Sequence, residues 1–426
     1  NFQPKEIEET VRKSWKDIDI RRIVAEKITN KSPSGYVEGP PTMNGEPHIG
    51  HLRGRIMKDL WYRFSILKGM NLVFRAGWDT QGLPVELQAE KELGLTGSKA
   101  ENLKVVGEEK LVESCKQLII KFNSKWREAD DLLGMSMDYD NAYWTYRDEY
   151  IEREWKYLEK AWKKELLGEG FRVVPYCPSC QCSLSHAEVS QGYEKVSDPS
   201  LYYKVKIVGE DRYLVLWTTM PFTVVTDEMV GVKPDEEYVV VNVGSERWIV
   251  ATIRLEDIMD ELGIKGYKVE DRIKGSELDG LRYEYPLAKQ IPAQVEIDKD
   301  KRVHSVVAED FVDVTTGSGM VHLSPANGEE DFEVAKRRGI PIFNPIDDQA
   351  RFTSEAGIFE NLFVRDADKK VVEILEKEGN LVKIGKIIHE YPTCWRSHHK
   401  LIWIARREYF YWVEKLGDQA LNAAKK

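Results

Sequence analysis

The sequence predicts an α/β fold in which a parallel strand–helix–strand unit is interrupted by a β-rich insert. Three observations carry this reading. Strand, helix and strand signals follow one another between residues 36 and 74, β-branched and aromatic runs dominate from about residue 200, and three of the five cysteines crowd into Cys177, Cys180 and Cys182. A chain of 426 residues also exceeds one ordinary domain, so two or more are expected.

The first strand is Tyr36-Val37-Glu38, followed by the turn-rich Gly39-Pro40-Pro41-Thr42-Met43-Asn44-Gly45. Leu52, Ile56, Leu60, Phe64 and Leu67 then recur every three or four residues, the period of a helix. Gly69 closes that helix and Leu72-Val73-Phe74 reads as the second strand, giving a βαβ unit and hence a parallel sheet. Residues near 101–167 read as helical, with Tyr150, Ile151, Trp155, Leu158 and Trp162 expected to fill a core along one face. The runs 201–207, 213–217 and 238–243 are strands separated by Gly, Asp and Glu turns, and 303–323 continues in that style. The insert is placed at about 196–385, after which the chain is expected to become helical and aromatic again. No internal repeat or low-complexity segment stands out.

Composition is that of a globular chain, 42% hydrophobic and 31% charged, without an apolar run that could span a bilayer. The N-terminus is charged, begins an amphipathic helix and lacks a signal-peptide core, so a cytoplasmic location and no membrane partner are expected. The net charge of −10 argues against indiscriminate coating of nucleic acid. Local basic clusters remain at Lys336-Arg337-Arg338, His398-His399-Lys400 and Arg406-Arg407.

Pro47-His48-Ile49-Gly50-His51 sits where a loop feeds a helix N-terminus, which offers free backbone N–H groups and the positive end of the helix dipole to phosphate. His48 and His51 share one helical face and can donate to the same anion, and Gly50 leaves room for a flat base. By itself an H-x-x-H pair is equally well a structural pair. Asp79, near Pro84, reads either as a ligand for an ammonium group or as the cap of the next helix.

The stretch Pro40–His51 resembles the HIGH signature of class I aminoacyl-tRNA synthetases, and Gly77-Trp78-Asp79-Thr80-Gln81-Gly82-Leu83-Pro84-Val85-Glu86 resembles the second signature of their isoleucine branch. The likeness runs through essentially the whole chain. It implies a Rossmann-type catalytic domain (first half) at 1–167, a zinc-ribbon-like connector at 168–195, an inserted editing domain at 196–385, and a return segment at 386–426. It further implies that His48 and His51 hold the ATP phosphates and stabilise charge as pyrophosphate leaves. Pro41, Asn44, Gly45 and Gly50 complete the ATP site with magnesium, and Pro41, Asp79 and Gln81 bind the amino acid. Gln81 stands where many relatives carry histidine.

Cys177-Pro178-Ser179-Cys180 has the spacing of half a zinc knuckle. In the resembling family a second C-x-x-C lies beyond the insert; here that stretch reads Cys394-Trp395-Arg396-Ser397-His398-His399. With serine at the fourth position, the expected structural zinc site is Cys177, Cys180, Cys394 and one of the two histidines, His398 by preference. Cys182 and His186 are spare candidates, and a metal-free ribbon held by packing is the competing reading.

Trp217-Thr218-Thr219-Met220-Pro221-Phe222-Thr223 resembles the threonine-rich peptide of the editing domains of isoleucyl, valyl and leucyl synthetases, and Thr315–Pro325 resembles their second editing segment. Hydrolysing an aminoacyl ester needs a carboxylate for the free ammonium, hydroxyls to place water, and a pocket too small for the cognate side chain. Asp331 fits the anchor, Thr218, Thr219 and Thr223 the polar wall, and His322 a position that limits the pocket or meets the terminal ribose. Each of these residues alone is more often structural. The need is physical: one missing methylene changes binding by only about 1–3 kcal/mol, a magnitude that belongs to isoleucyl enzymes in general rather than to any feature of this chain.

Val321-His322 in place of valine–lysine, with Gly82-Leu83-Pro84-Val85-Glu86, favours the isoleucine branch over the valyl one, and Thr80-Gln81 with Cys394-Trp395-Arg396-Ser397-His398-His399 resembles archaeal or eukaryotic members. The implied activity is ATP-dependent ligation of isoleucine to tRNA(Ile) through isoleucyl-adenylate, with editing of Val-tRNA(Ile), by a monomer. No lysine-rich KMSKS-like loop follows Leu401–Arg407, so the sequence is read as a piece that retains editing at most. The alternatives are a valyl synthetase, a free-standing editing hydrolase and a non-catalytic RNA-binding relative. The HIGH corner speaks against the second alternative, the editing residues against the third.

Overall fold

The computed structural model describes residues 3–18 and 34–425, and the chain divides into two compact units, 1–167 with 411–426, and 168–410. In the first unit, helix α1 (Pro4–Ile18) precedes a parallel sheet of β1 (Ser34–Val37), β2 (Leu72–Trp78) and β3 (Asp138–Trp144), in that spatial order. Helix α2 (Ile49–Leu67) joins β1 to β2, and α3 (Leu83–Glu92), α4 (Lys99–Val106) and α5 (Glu108–Leu133) lead to β3. The expected βαβ unit is therefore present. Helix α6 (Asp148–Lys163) follows β3.

The long helix α5 buries Leu111, Leu118, Ile119, Phe122, Trp126 and Asp130, one face at helical spacing, and stops at the left-handed Gly134. The other two helices depart from expectation. On α2 the buried residues are Arg55, Asp59 and Ser65, while Ile56, Leu60, Phe64 and Leu67 of the apolar repeat are exposed. The aromatic stripe expected to fill a core also faces outward: Trp155 is 67% and Trp162 55% exposed, and Ala161 alone is buried among the described residues of α6. Periodicity located these helices but not the face that packs, because ion pairs hold the inner face of α2. Arg55 Nε lies 2.9 Å from Asp130 Oδ1 and its Nη1 3.3 Å from Glu38 Oε1, and all three residues are buried. The guanidinium also lies 4.9 Å from the Trp126 ring centre and 5.7 Å from that of Trp78. Burial, partly offset by Arg55, pushes the Asp130 carboxyl up to about 6.

The second unit is β-rich. It comprises β4 (Leu167–Cys177), β5 (Cys182–Ser183), the four-residue α7 (His186–Val189), β6 (Tyr193–Lys206), β7 (Arg212–Thr218), β8 (Met229–Val232), β9 (Glu237–Val243) and β10 (Glu246–Ala251). Helix α8 (Leu255–Leu262), β11 (Lys268–Lys274), α9 (Gly275–Leu278), α10 (Pro292–Ile297), β12 (Ser305–Ala308) and β13 (Val321–Leu323) follow. The unit ends with α11 (Glu329–Arg338), α12 (Ala367–Lys377), β14 (Leu381–Pro392) and β15 (Ile402–Tyr411). A six-stranded sheet runs β11-β9-β10-β7-β6-β14, and two three-stranded sheets run β12-β8-β13 and β15-β4-β5. Leu201, Tyr203, Val205, Leu214, Leu216, Phe222 and Val230 anchor its main core. The expected helical return after residue 385 comes only at Gly417–Ala424 and is preceded by the strands β14 and β15. Their β-branched and aromatic content favours an extended backbone once a partner strand is available. Most described members of the basic clusters are neutralised: Arg337 and Arg338 pair with Glu309, Lys400 with Asp198, Arg406 with Asp348 and Arg407 with Glu169.

Candidate functional site

Each unit carries a cluster of the expected residues. In the first, the loop after β1 runs beside the end of β2, with Met43 N donating to Asp79 O at 2.8 Å and Asp79 N to Pro41 O at 3.0 Å. Helix α2 then starts at His48, an extended N-cap whose Nδ1 accepts from Gly50 N at 3.1 Å. His51 Nδ1 accepts from His48 N at 3.3 Å, and the two rings stack with centroids 3.6 Å apart. Since both Nδ1 atoms accept backbone protons, each neutral ring carries its hydrogen on Nε2. The pair thus presents two N–H donors at a helix N-terminus, an arrangement suited to phosphate oxygens. Partial burial, then His48 and Arg55, holds His51 below its ordinary value. A Cβ on Gly50 would come within 2.9 Å of the His48 ring, so the glycine makes the stacked pair possible. Asn44 is exposed on the same loop, and Gly45 O accepts from Trp126 Nε1 at 3.0 Å.

Asp79 does not cap the following helix; Gly82, with φ of 89°, occupies that position. Its carboxylate accepts from Thr42 Oγ1 at 2.7 Å and faces Thr145 Oγ1 at 3.5 Å. Half-buried at the carboxyl end of β2, it stands where ligands bind in open parallel sheets. Gln81 is exposed beside it. A Cβ on Gly77 would overlap the Tyr143 ring at 2.2 Å, so this glycine lets β3 close on β2 just below Asp79. Thr42 and Thr145 were not foreseen; nothing in the sequence ties either to Asp79.

In the second unit the threonine-rich turn leaves β7. Thr218 Oγ1 accepts from Met220 N at 3.0 Å, and Thr223 Oγ1 donates to Met220 O at 2.7 Å. Thr219 is half-buried, and among the described residues its hydroxyl has no partner. The glycines of Thr315–Pro325 are conformational: Gly317 and Gly319 have φ of 53° and 73°, and a Cβ on the latter would meet Ala251 at 2.2 Å. This segment delivers β13, whose His322 points at the turn, Nε2 being 3.1 Å from Thr223 Oγ1.

Asp331 lies in the first turn of α11 and folds back over Gly328, where a Cβ would be 2.5 Å from the carboxyl group. It accepts from Ser324 N at 2.7 Å. Asp331 sits deep in the fold but keeps a solvent-accessible edge. Burial pushes its carboxyl up to about 7, opposed by the Ser324 N–H and by His322. A buried acid so displaced, within electrostatic reach of a histidine that meets the threonine turn, has the character of a functional group. Thr226, Ser324 and Asn327 link the two segments: Thr226 Oγ1 lies 2.7 Å from Ser324 Oγ and 2.6 Å from Asn327 Oδ1. None of these three was singled out from sequence.

Cys177, Cys180 and Cys394, three of the four expected ligands, lie together: all are buried and their sulfurs are within 4.8 Å of one another. His398 is not part of it, which corrects the expected ligand set. The reason is a repeated turn. Gln181 N donates to Cys177 O and His398 N to Cys394 O, both at 2.8 Å, and Gln181 and His398 are both left-handed. His398 therefore corresponds to Gln181, and Ser397 to Cys180. The Ser397 hydroxyl lies 3.3 Å from Cys177 Sγ, whereas His398 turns outward to Glu194 Oε1 at 3.1 Å. His186 faces Glu329, and Cys182 lies 3.8 Å from Arg396 Nη1, so neither spare candidate joins the cluster. Hydrogen bonds from the Cys177 and Cys180 thiols hold Cys394 well below the usual thiol range, while Cys177 and Cys180 are held above it. One sulfur of the three is thus held as a thiolate by its two neighbours, the form in which sulfur binds a soft cation.

These two sites and the parallel sheet define a class. The chain belongs to the class I tRNA synthetases: the family described as tRNA synthetases class I (I, L, M and V) matches residues 10–426. Within it, the chain is similar to proteins named isoleucine–tRNA ligase. That of Pyrococcus abyssi is 38% identical over 427 residues, covering 99% of this chain and 40% of that protein. Those of Pyrobaculum aerophilum and Clostridium novyi are 39% and 37% identical, each covering 98% of this chain and 42% and 39% of the relative. The chain thus spans about two fifths of the length of the curated relatives it matches. No helix among the described residues is long and apolar enough to cross a membrane.

Proposed function

We propose that the chain is the adenylation half-site and proofreading domain of an enzyme that ligates isoleucine to tRNA(Ile), and that its second unit hydrolyses Val-tRNA(Ile). The observation that carries the editing reading is Asp331, a buried carboxyl within electrostatic reach of His322, whose ring meets Thr223, and pushed up to about 7. A free α-ammonium arriving at that edge supplies the countercharge that burial withholds, so the ionised form becomes favourable on binding. The Thr218 and Thr219 hydroxyls then hold water against the ester carbonyl. In the first unit, Asp79 takes the ammonium of the amino acid, and His48 and His51 the phosphates of magnesium-bound ATP.

Zinc fits the cysteine cluster: three buried sulfurs are present, and Cys180 and Cys394 are 4.0 Å apart, near the edge of a tetrahedron of Zn–S bonds. Cys177, Cys180 and Cys394 would hold the ion, with Ser397 at the fourth corner. The metal would supply only a structural cross-link between the two turns.

Incubation of the 426-residue chain with Val-tRNA and Ile-tRNA, both made on isoleucine-accepting tRNA, tests the editing reading. Selective release of valine, lost in Asp331→Ala, supports it. Equal release, or release unaffected by the substitution, contradicts it. Selective release of threonine from valine-accepting tRNA, with no release of valine from the isoleucine acceptor, would replace it with the valyl alternative.

A further inference from the structure

His322 is held at both ring nitrogens. Nε2 meets Thr223 Oγ1 at 3.1 Å, and Nδ1 lies 3.3 Å from Asp227 Oδ1. The other Asp227 oxygen accepts from Tyr283 OH at 2.7 Å. Tyr203 packs edge-on to the imidazole with centroids 6.2 Å apart. Asp227 itself is fully buried at the end of the threonine-rich turn, two residues before β8 starts, and His322 pairs in register with Val230 of β8. Thr223, 3% exposed, offers no face to an ester, so the threonine–histidine–aspartate line is not a nucleophilic triad.

We propose, resting on the editing reading above, that Asp227 is a specificity-determining positioning residue: it acts through His322, fixing the ring that limits how large a side chain the editing pocket admits. The proton inventory supports a fixed ring. An accepting Asp227 oxygen places a hydrogen on Nδ1 of His322. Thr223 has one hydroxyl hydrogen and two neighbours, His322 Nε2 and Met220 O. It donates to Nε2 when the ring is neutral and to Met220 O when the ring is fully protonated. Every partner stays satisfied either way, so the ring has no reason to turn. Without an acceptor at position 227 the Nδ1–H would be buried and unpaired, so the proton moves to Nε2, which donates to Thr223 Oγ1, and the Nδ1 edge of the ring, no longer held, is free to shift. A pocket that separates two side chains by one methylene cannot keep its selectivity with a mobile wall.

The test uses the 426-residue chain and two readouts. The first is the ratio of deacylation rates for Val-tRNA and Ile-tRNA on isoleucine-accepting tRNA. Asp227→Ala lowers this ratio at least about tenfold through faster release of isoleucine, the low end of what one methylene is worth. Asp227→Asn, which keeps an oxygen acceptor, stays within about threefold of the parent. Asp227→Leu, of similar volume and apolar, gives the same result as alanine and covers the case in which the alanine variant does not fold. The second readout is the nitrogen NMR signature of His322: Nδ1–H in the parent and in Asp227→Asn, Nε2–H in the alanine and leucine variants. A parent that is selective, with alanine and leucine variants equally selective, overturns the role of Asp227 and leaves the editing reading standing. An Nε2–H tautomer in the parent overturns it as well. A parent that releases neither amino acid selectively removes the editing reading and this inference with it.

Discussion

Asp331→Asn is the substitution for which stability and activity should move in opposite directions. The carboxyl ionises near 7 in the folded chain against an ordinary value of 3.8. At about 1.4 kcal/mol per pH unit, that difference amounts to about 4 kcal/mol once both states are ionised, and the solvent-accessible edge trims it to about 2–4 kcal/mol. The sign follows from proton binding. Between about pH 4 and 7 the folded state holds the proton more often than the unfolded chain does. The contribution is therefore full below pH 4 and lost as pH rises through 7. Asparagine carries no such dependence. Urea unfolding, read as the difference between variant and parent, should show a variant more stable by about 1–2 kcal/mol at pH 5 and by about 2–4 kcal/mol at pH 8. Deacylation of Val-tRNA should fall by about 10- to 150-fold, the worth of a hydrogen bond to a charged group. An equal difference at both pH values, or a variant less stable at pH 8, refutes the claim that burial strains this carboxyl for function.

Replacing Arg55 by methionine leaves Asp130 and Glu38 buried with less compensation, and should cost about 3–5 kcal/mol, read by urea unfolding of the first unit. Gly77→Ala drives a methyl into the Tyr143 ring and should cost about 1–3 kcal/mol by the same measurement. In the cluster, elemental analysis should find about one zinc per chain. Ser397→Cys should slow metal loss to a chelator, whereas His398→Ala should leave it unchanged; an effect of His398→Ala equal to that of Cys394→Ala would restore the histidine as ligand.

Much of the βαβ unit was readable because Tyr36–Glu38, the Leu52–Leu67 repeat and Leu72–Phe74 each carry a local period. What periodicity could not convey was the buried face of α2, since an Arg55 that satisfies two buried acids looks in sequence like any surface arginine. The strand β3 lay hidden in a helical reading because Asp138–Trp144 is short and polar. Strand β14 pairs with β6, about 180–200 residues earlier, and β15 with β4, more than 220 residues earlier, and no local signal reports such partners. In the candidate editing site the resemblance supplied His322 and Asp331, yet Asp227, Ser324 and Asn327 become visible only when β8, β13 and α11 meet. His398 was preferred as a ligand because serine is a poor one. The repeated backbone turn that puts Ser397 in the fourth position cannot be read from residue types.

The most direct measurement is calorimetric titration of the chain with hydrolysis-resistant valyl- and isoleucyl-adenosine analogues, each with a free α-ammonium. The valyl analogue should bind at least about tenfold more tightly, and Asp331→Ala should abolish this binding. Equal affinity for the two analogues, or valyl binding that survives loss of Asp331, would contradict the editing assignment.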